Sequence, residues 1–409
     1  MSDTLATDPA QIAEFPMPRA AGCPFDPPPE LGRRAAEAPV SRVRIWDGST
    51  PWIVTGYAEQ RALLADSRVS VDENMPGFPH WNEGMAATVA HRPRSVFNSD
   101  APEHSRYRRM MTSSFTPRRV EAVRPAIQRL TDDLIDAMLA GPRPADLVAA
   151  VALPLPTRVI SEILGVPYED HEFLQHHAVI GVGRHATPDQ LRESAMATGS
   201  YLARLIKSRA DDPRDDVVSD LAQRVKSEEL TPAEAAQIGT GLVIAGHETT
   251  ANMIGLGTLA LLENPDQLAI VRDSEDPKTI ADAVEELLRY LGIIHGGQRR
   301  IAKEDIEIGD VLIRAGEGII IELASANRDP RTFADPDRLD LYRPARHHHA
   351  FGFGIHQCIG QQLARAELQV LFGTLFRRIP TLRLATTVDQ IPFKHDRLAY
   401  GVYELPVDW

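Results

Sequence analysis

The run from Thr231 to Pro265, TPAEAAQIGTGLVIAGHETTANMIGLGTLALLENP, constrains this chain more than any other stretch. Thr231 stands as a cap, Pro232 as the first helical residue and Glu234 three positions after the cap, a capping box with the preferred proline. Helical spacing continues to Asn264-Pro265, which predicts a rod on the order of 50 Å at 1.5 Å per residue. Its middle, IGTGLVIAGHETTANMIGLGTLALL, is largely uncharged, so other elements must cover it on most sides. A fold built round such a rod is mainly α.

The neighbouring patterns agree. VEAVRPAIQRLTDDLIDAMLAG shows apolar spacing near 3.6 and stops at Gly141 before a proline; LPTRVISEILGVP repeats the arrangement. SRVRIW and PWIVT flank the turn-like DGST as a short hairpin, and DIEIGDVLIRAGEGIIIELA alternates between Gly-containing turns. Residues 1–30, with FPMPRAAGCPFDPPPEL, form an irregular Pro-rich opening segment. No internal repeat or linker divides the chain. The expected architecture is a single domain over residues 1–409, mainly α with small β-sheets.

Composition excludes several functions. A formal net charge of −13 speaks against nonspecific nucleic-acid binding. No run of 18 uncharged apolar residues predicts a membrane span. MSDTLATDPAQIAEFPMP has neither a basic region nor an apolar one, so no secretory signal is expected. Two cysteines, Cys23 and Cys358, in a chain of this size fit free thiols in a cytoplasmic protein. Against the acidic background, Asp100 to Arg119 carries five arginines and only two acids. That segment is either a docking site for an anion or acidic partner, or a solvated helix face.

Three local patterns carry chemistry. Inside the long helix, AGHETT places a carboxylate and two hydroxyls where they are costly unless they bond something. Gly246 weakens the helix there by about 1 kcal/mol relative to Ala, which fits a local widening of π type. In EELLRY, Glu286 and Arg289 share a helix face, in the simplest case as a surface ion pair. In FGFGIHQCIGQQLARAEL, Cys358 precedes a helix whose unpaired N–H groups and dipole favour a thiolate. Gly352, Gly354 and Gly360 let backbone fold tightly round the sulfur or let something flat approach. An inert buried thiol, a nucleophile with His356 as base and a metal ligand all remain open at this point. HEFLQHH spaces its histidines wrongly for a zinc helix, and His347, His348 and His349 point apart, which leaves them as surface or lid residues.

FGFGIHQCIG resembles the haem-binding loop of the cytochrome P-450 superfamily, the haem-thiolate monooxygenases, whose pattern is Phe-Gly-x-Gly-x-His-x-Cys-x-Gly. The resemblance runs from PWIVT to the C-terminal YGVYELPVDW and is closest to soluble actinomycete-type members. It implies that fold, with the long central helix over haem b (iron protoporphyrin IX). Cys358 would be the axial iron ligand, with Phe351, Gly352, His356 and Gly360 around the cofactor. APEHSRYRR would bring His104 and Arg108 to the haem propionates, and GQRRIAKEDIEI would bring Arg300, with Arg299 as the competing position. Ala245 and Gly246 would pass over the ring. Glu248 and Thr249 would be the acid–alcohol pair delivering protons during dioxygen activation. Glu286 and Arg289 would become a buried scaffold pair, completed by Arg338 of the Pro-x-Arg segment DPDRLDLYR.

The same resemblance implies a monomer that hydroxylates a hydrophobic small molecule of macrolide, statin, steroid or xenobiotic type. Electrons would come from NAD(P)H through ferredoxin reductase and ferredoxin, with Arg109 and Arg118 facing the acidic donor. Ile244, Ala245, Ile293 and Ile294 would line the substrate space, with the VDENMPGFPHW loop and a HAVIGVGRH lid. A peroxide-driven peroxygenase and a non-enzymatic haem-thiolate sensor are the alternatives. The acid–alcohol pair favours dioxygen over both.

Overall fold

The computed structural model describes residues 12–20, 22–181 and 183–409. The opening stretch judged above for a signal therefore lies mostly outside the described residues, as does Val182 of the lid.

The central helix spans Pro232–Leu262, 31 residues, and both halves of its capping box form. Glu234 Oε2 accepts the Thr231 N–H at 2.8 Å, and Thr231 Oγ1 accepts the Glu234 N–H at 3.2 Å. The other carboxylate oxygen accepts from Arg106 at 2.9 Å and from the Tyr107 hydroxyl at 2.5 Å. These bonds tie the helix Glu103–Thr112 to the start of the rod. Every residue from Thr250 to Leu261 is buried. The cover comes from Pro154–Leu164, His171–Gly181, Pro188–Arg209, Pro265–Asp273 and Gln361–Arg378. Contact with the last of these is close: a Cβ on Gly257 would stand 2.6 Å from Phe372 Cζ. Burying such a run of apolar side chains contributes about 1.5–3 kcal/mol per large residue.

The widening expected at Gly246 is not there. The central helix is α throughout, and the described π segment is Val148–Ala152. Here Leu153 N–H reaches the Val148 carbonyl at 3.0 Å.

A five-stranded sheet stands beside the helices in the order Val40–Arg42, Trp52–Val54, Gly318–Ile321, Gln298–Ala302, Val69–Ser70. The expected hairpin is its first pair, registered Val40 to Val54 and Arg42 to Trp52. Gln298–Ala302 runs antiparallel to Gly318–Ile321, with Arg299 opposite Ile320 and Arg300 opposite Ile319. Alternation sends those neighbours to opposite faces. Ile319 packs with Leu63 and Leu64 towards Phe353, whereas Ile320 packs with Phe15 and Met17. Among the described residues no helix is long and apolar enough to cross a membrane.

Two scaffold expectations change. Glu286 and Arg289 are fully buried and pair through two bonds of 2.7 and 2.8 Å. The second guanidinium on Glu286 belongs to Arg343, at 3.1 Å, not to Arg338. Arg338 is exposed and offers Arg289 only its backbone carbonyl. The chain turns between them, so the later arginine of LYR points inward. Nor are the three consecutive histidines all surface residues. His348 and His349 are buried, the former 3.2 Å from Glu285 and the latter stacked on Tyr57.

Candidate active site

The Cys358 loop is folded by its own backbone. Cys358 N–H donates to the Phe351 carbonyl at 2.9 Å, Gln357 to Gly354 at 3.1 Å and Gly352 to His349 at 2.8 Å. Gly354 has φ +75°, and a Cβ there would lie 2.1 Å from the Leu64 carbonyl oxygen, so only glycine lets the loop dock. The following helix, Gln361–Arg378, begins three residues after the cysteine, with Gly360 as its cap.

Cys358 lies deep in the molecule, yet its side chain opens into a cavity of about 440 Å³. Burial pushes the thiol up, opposed by the Gly360 N–H, Arg108 and Arg365. The helix start thus favours the thiolate through the Gly360 N–H while burial works against it. A buried, protonated thiol is a poor nucleophile, but a coordinated metal ion would deprotonate it.

Four cationic or ionisable side chains converge beside the sulfur. His104 and His356 have ring centroids 4.2 Å apart. Both ring nitrogens of His104 are buried without a hydrogen-bond partner. Arg108, one helical turn after His104, donates to the Gln357 carbonyl at 2.7 Å. Burial, followed by Arg300, His104 and Arg108, holds His356 down at about 3. Arg299 is absent from that group of influences. It lies on the opposite strand face, against the rings of Trp81 and Phe15. Of the doublet, Arg300 is the arginine whose charge reaches His356. The buried, unpartnered nitrogens of His104 beside the guanidiniums of Arg108 and Arg300 suit anionic acceptors. Two carboxylates of a flat macrocycle, above a loop whose thiol faces the same space, fit this set.

On the far wall the central helix presents Ala245, Gly246, Thr249 and Thr250. Thr249 Oγ1 donates to the Ala245 carbonyl at 2.8 Å, which leaves its lone pairs free. Glu248 is buried but does not line the cavity. Its Oε1 is 3.9 Å from Lys394 Nζ, its Oε2 has no partner among the described residues, and burial raises its pKa above the usual carboxylate range. Lys394 in turn donates to Asn252 at 2.8 Å. No motif marks Lys394 in the sequence; the fold brings it to Glu248 across more than a hundred residues.

The remaining wall residues divide. Ile293 and Ile294 line the cavity, as do Val71, Glu73, Phe78 and Trp81 of the VDENMPGFPHW loop. Ile244 does not; its Cδ1 would stand 3.7 Å from a Cβ on Gly181. No described residue of the HAVIGVGRH segment reaches the cavity either. His177–Gly181 is helical, with its Val179 carbonyl accepting from Arg397 (2.8 Å), and beyond it the Arg184 carbonyl accepts from Asn82 (3.1 Å). Sequence reasoning missed Phe97, Gln298 and Glu367 as cavity residues. Glu367 sits on the same helix register as Leu363, and an acid there gives no sign in a linear reading.

Comparisons with known proteins agree with this geometry. A family model described as Cytochrome P450 matches residues 190–394. The chain is 62% identical to "Cytochrome P450 CYP105Q4" of Mycobacterium marinum, covering all of both chains. It is 58% identical to "Cytochrome P450 GfsF" of Streptomyces halstedii, again over both full lengths. The crystal structure of GfsF superposes with a TM-score of 0.90 over 97% of this chain and 100% of that one. The mycinamicin VIII C21 methyl hydroxylase MycCI of Micromonospora griseorubida, solved bound to mycinamicin VIII, gives 0.91 at 39% identity, covering 97% and 100%.

Proposed function

The chain belongs to the cytochrome P450 family and is an oxidoreductase of its monooxygenase type, and from that premise we propose that it hydroxylates a hydrophobic small molecule, with dioxygen as oxidant and ferredoxin as electron donor. In this reading one oxygen atom converts C–H to C–OH and the other leaves as water. The observation that carries it is the convergence of His104, Arg108, Arg300 and His356 beside the Cys358 thiol, all bordering one largely apolar cavity.

The haem-thiolate cofactor of the family is proposed to be haem b, and when bound it supplies the redox chemistry. The chain's own residues do the rest. Cys358 ligates the iron, and the Gly360 N–H and Arg108 steady negative charge on its sulfur. His104, Arg108, Arg300 and His356 would hold the propionates, with Phe351 and Gly360 bordering the space for the ring. Thr249 accepts and passes a proton at its Oγ1. Glu248, whose pKa burial raises above the usual carboxylate range, is the proton source behind it, with Lys394 steadying its ionised form. Ile293, Ile294 and Phe78 exclude water from the substrate's apolar body.

A single domain over residues 1–409, a monomer in the cytoplasm, completes the proposal. Ferredoxin and its reductase are favoured because the sequence holds no flavin or nicotinamide motif. Exposed Arg109 and Arg118 suit an acidic donor. The naming of MycCI for a methyl hydroxylation supports a hydrophobic substrate for this chain.

The test is spectroscopic. Purified protein should show a red-shifted Soret band in its reduced carbon-monoxide complex, and Cys358→His should abolish it. Persistence of that band in the variant refutes the ligand assignment. Product formed with peroxide, but not with NADPH, reductase, ferredoxin and dioxygen, would replace the monooxygenase reading by the peroxygenase one.

A further inference from the structure

Arg299 is a buried cation with nothing to bind among the described residues. It is 6% exposed, its Nε and Nη1 are buried without a partner, and its guanidinium makes no hydrogen bond. Aromatic faces are its company, Trp81 at 4.5 Å and Phe15 at 5.4 Å. Such a group costs several kcal/mol to bury unless something pairs with it.

The neighbouring charges do not supply the pair. Glu322 is the nearest acid, but it accepts the Ala324 N–H and hydrogen-bonds to no arginine. Burial raises it to about 7, so it is only partly ionised at neutral pH. Two more guanidiniums face the same acid, Arg19 and Arg184. Arg19 is engaged by the Asp26 and Gly292 carbonyls at 2.6 and 3.3 Å, and Arg184 by the His295 carbonyl at 3.1 Å. His295 is kept neutral, its protonation driven down to about 3 by burial and then by Arg184 and Arg19. Three cations thus share one partly ionised carboxylate, and of the three only Arg299 borders the cavity.

Position separates Arg299 from the propionate cluster. Arg300, the next residue, faces His356 on the other side of the strand. Arg299 borders the cavity beside Trp81, whose ring it faces at 4.5 Å. Glu73 borders the same space but is already paired with Arg92 at 2.5 Å.

We infer that Arg299 is a carboxylate-binding subsite in the substrate cavity, so that the substrate class is a hydrophobic acid: an apolar body carrying one ionised group. This inference rests on the oxygenase reading above and narrows it. The cavity solvates the body, and the guanidinium receives the acid through charge-assisted hydrogen bonds.

The experiment uses the ferric holoprotein near neutral pH and follows the spin-state shift of the Soret band. Probes are unbranched fatty acids of ten to sixteen carbons and their methyl esters. The acid should bind about tenfold or more tightly than its ester, as one charge-assisted pair allows. Arg299→Gln should bring the ratio to about one, and Arg299→Lys should restore part of it. Haem content and the carbon-monoxide band should be unchanged in both variants. The inference is overturned if no acid shifts the spectrum, if wild type binds acid and ester alike, or if the Gln variant keeps the preference. Loss of haem from the folded Gln variant would instead make Arg299 a propionate ligand, overturning the subsite while leaving the oxygenase intact. A wild-type protein that takes up no haem overturns both. The wild-type comparison needs no variant, so a misfolded substitution does not protect the idea.

Discussion

Glu286 shows how a single buried carboxylate can anchor two distant segments. Arg289 binds it through two nitrogens, Arg343 adds a third contact at 3.1 Å, and the Asp340 N–H a fourth at 3.0 Å. Arg343 also ties down the carbonyls of Ala334, Asp335 and Arg338. Removing a partner from a buried ion network leaves charge uncompensated, so Arg343→Ala should cost about 2–4 kcal/mol. Arg338→Ala removes an exposed side chain and should stay within about 0.5 kcal/mol of wild type. Denaturant unfolding of the two holoproteins distinguishes them; equal losses would return the scaffold role to Arg338. The Glu-x-x-Arg pair was legible in EELLRY because its spacing is local. Which of two later arginines turns inward was not, since that depends on the path of the loop rather than on residue type.

At the scale of elements, the central helix was the most legible feature, because its start is encoded by four adjacent residues. Thr231→Ala should cost about 1 kcal/mol as the loss of an ordinary cap. Glu234→Ala should cost more, about 2–3 kcal/mol, because it also strips Tyr107 and Arg106 of their acceptor. Burial alone would raise the Glu234 carboxyl, but bonds from Tyr107, Thr231 and Arg106 outweigh it and hold the group at about 2. Unfolding free energies at neutral pH measure both changes; a Glu234 effect no larger than that of Thr231 would mean the link to the Glu103–Thr112 helix carries no stability. The capping box could be seen in TPAE, whereas the second pair of bonds spans well over a hundred residues and leaves no local pattern. The same limit explains the misplaced widening. A glycine beside polar residues suggested it at Gly246, yet the helix there packs against Ile160, where an added Cβ would sit 2.6 Å from Cγ1. That glycine serves close packing.

Across the whole molecule, the site joins helix, strand and loop residues that are remote in sequence, and its motif residues were visible because each lies in a short fixed pattern. Lys394 and Glu367 were not, because only the fold buries them, and Arg299 was visible only as the rival of Arg300. Burial of titratable groups also gives the protein a predictable pH profile. His247, His295 and His349 are held by burial at about 4, 3 and 4. As pH falls below the ordinary histidine value near 6.5, the unfolded chain takes up protons that the folded one refuses, so stability falls. Glu322, raised to about 7, and Glu367, pushed well above the carboxylate range by burial, act in the opposite sense. Their contribution is complete below the ordinary glutamate value near 4.3 and is lost as pH rises through their folded values. The two sets oppose each other between those limits, which places the stability maximum near pH 6–7. His247→Gln keeps a polar side chain of similar size but cannot titrate. It should remove about 3 kcal/mol of the stability lost between pH 7 and pH 4. Glu367→Gln should flatten the alkaline side and raise stability at pH 8. Unfolding free energies measured from pH 4 to pH 9 give both slopes; variants whose curves merely run parallel to wild type would show that these buried groups do not set the profile.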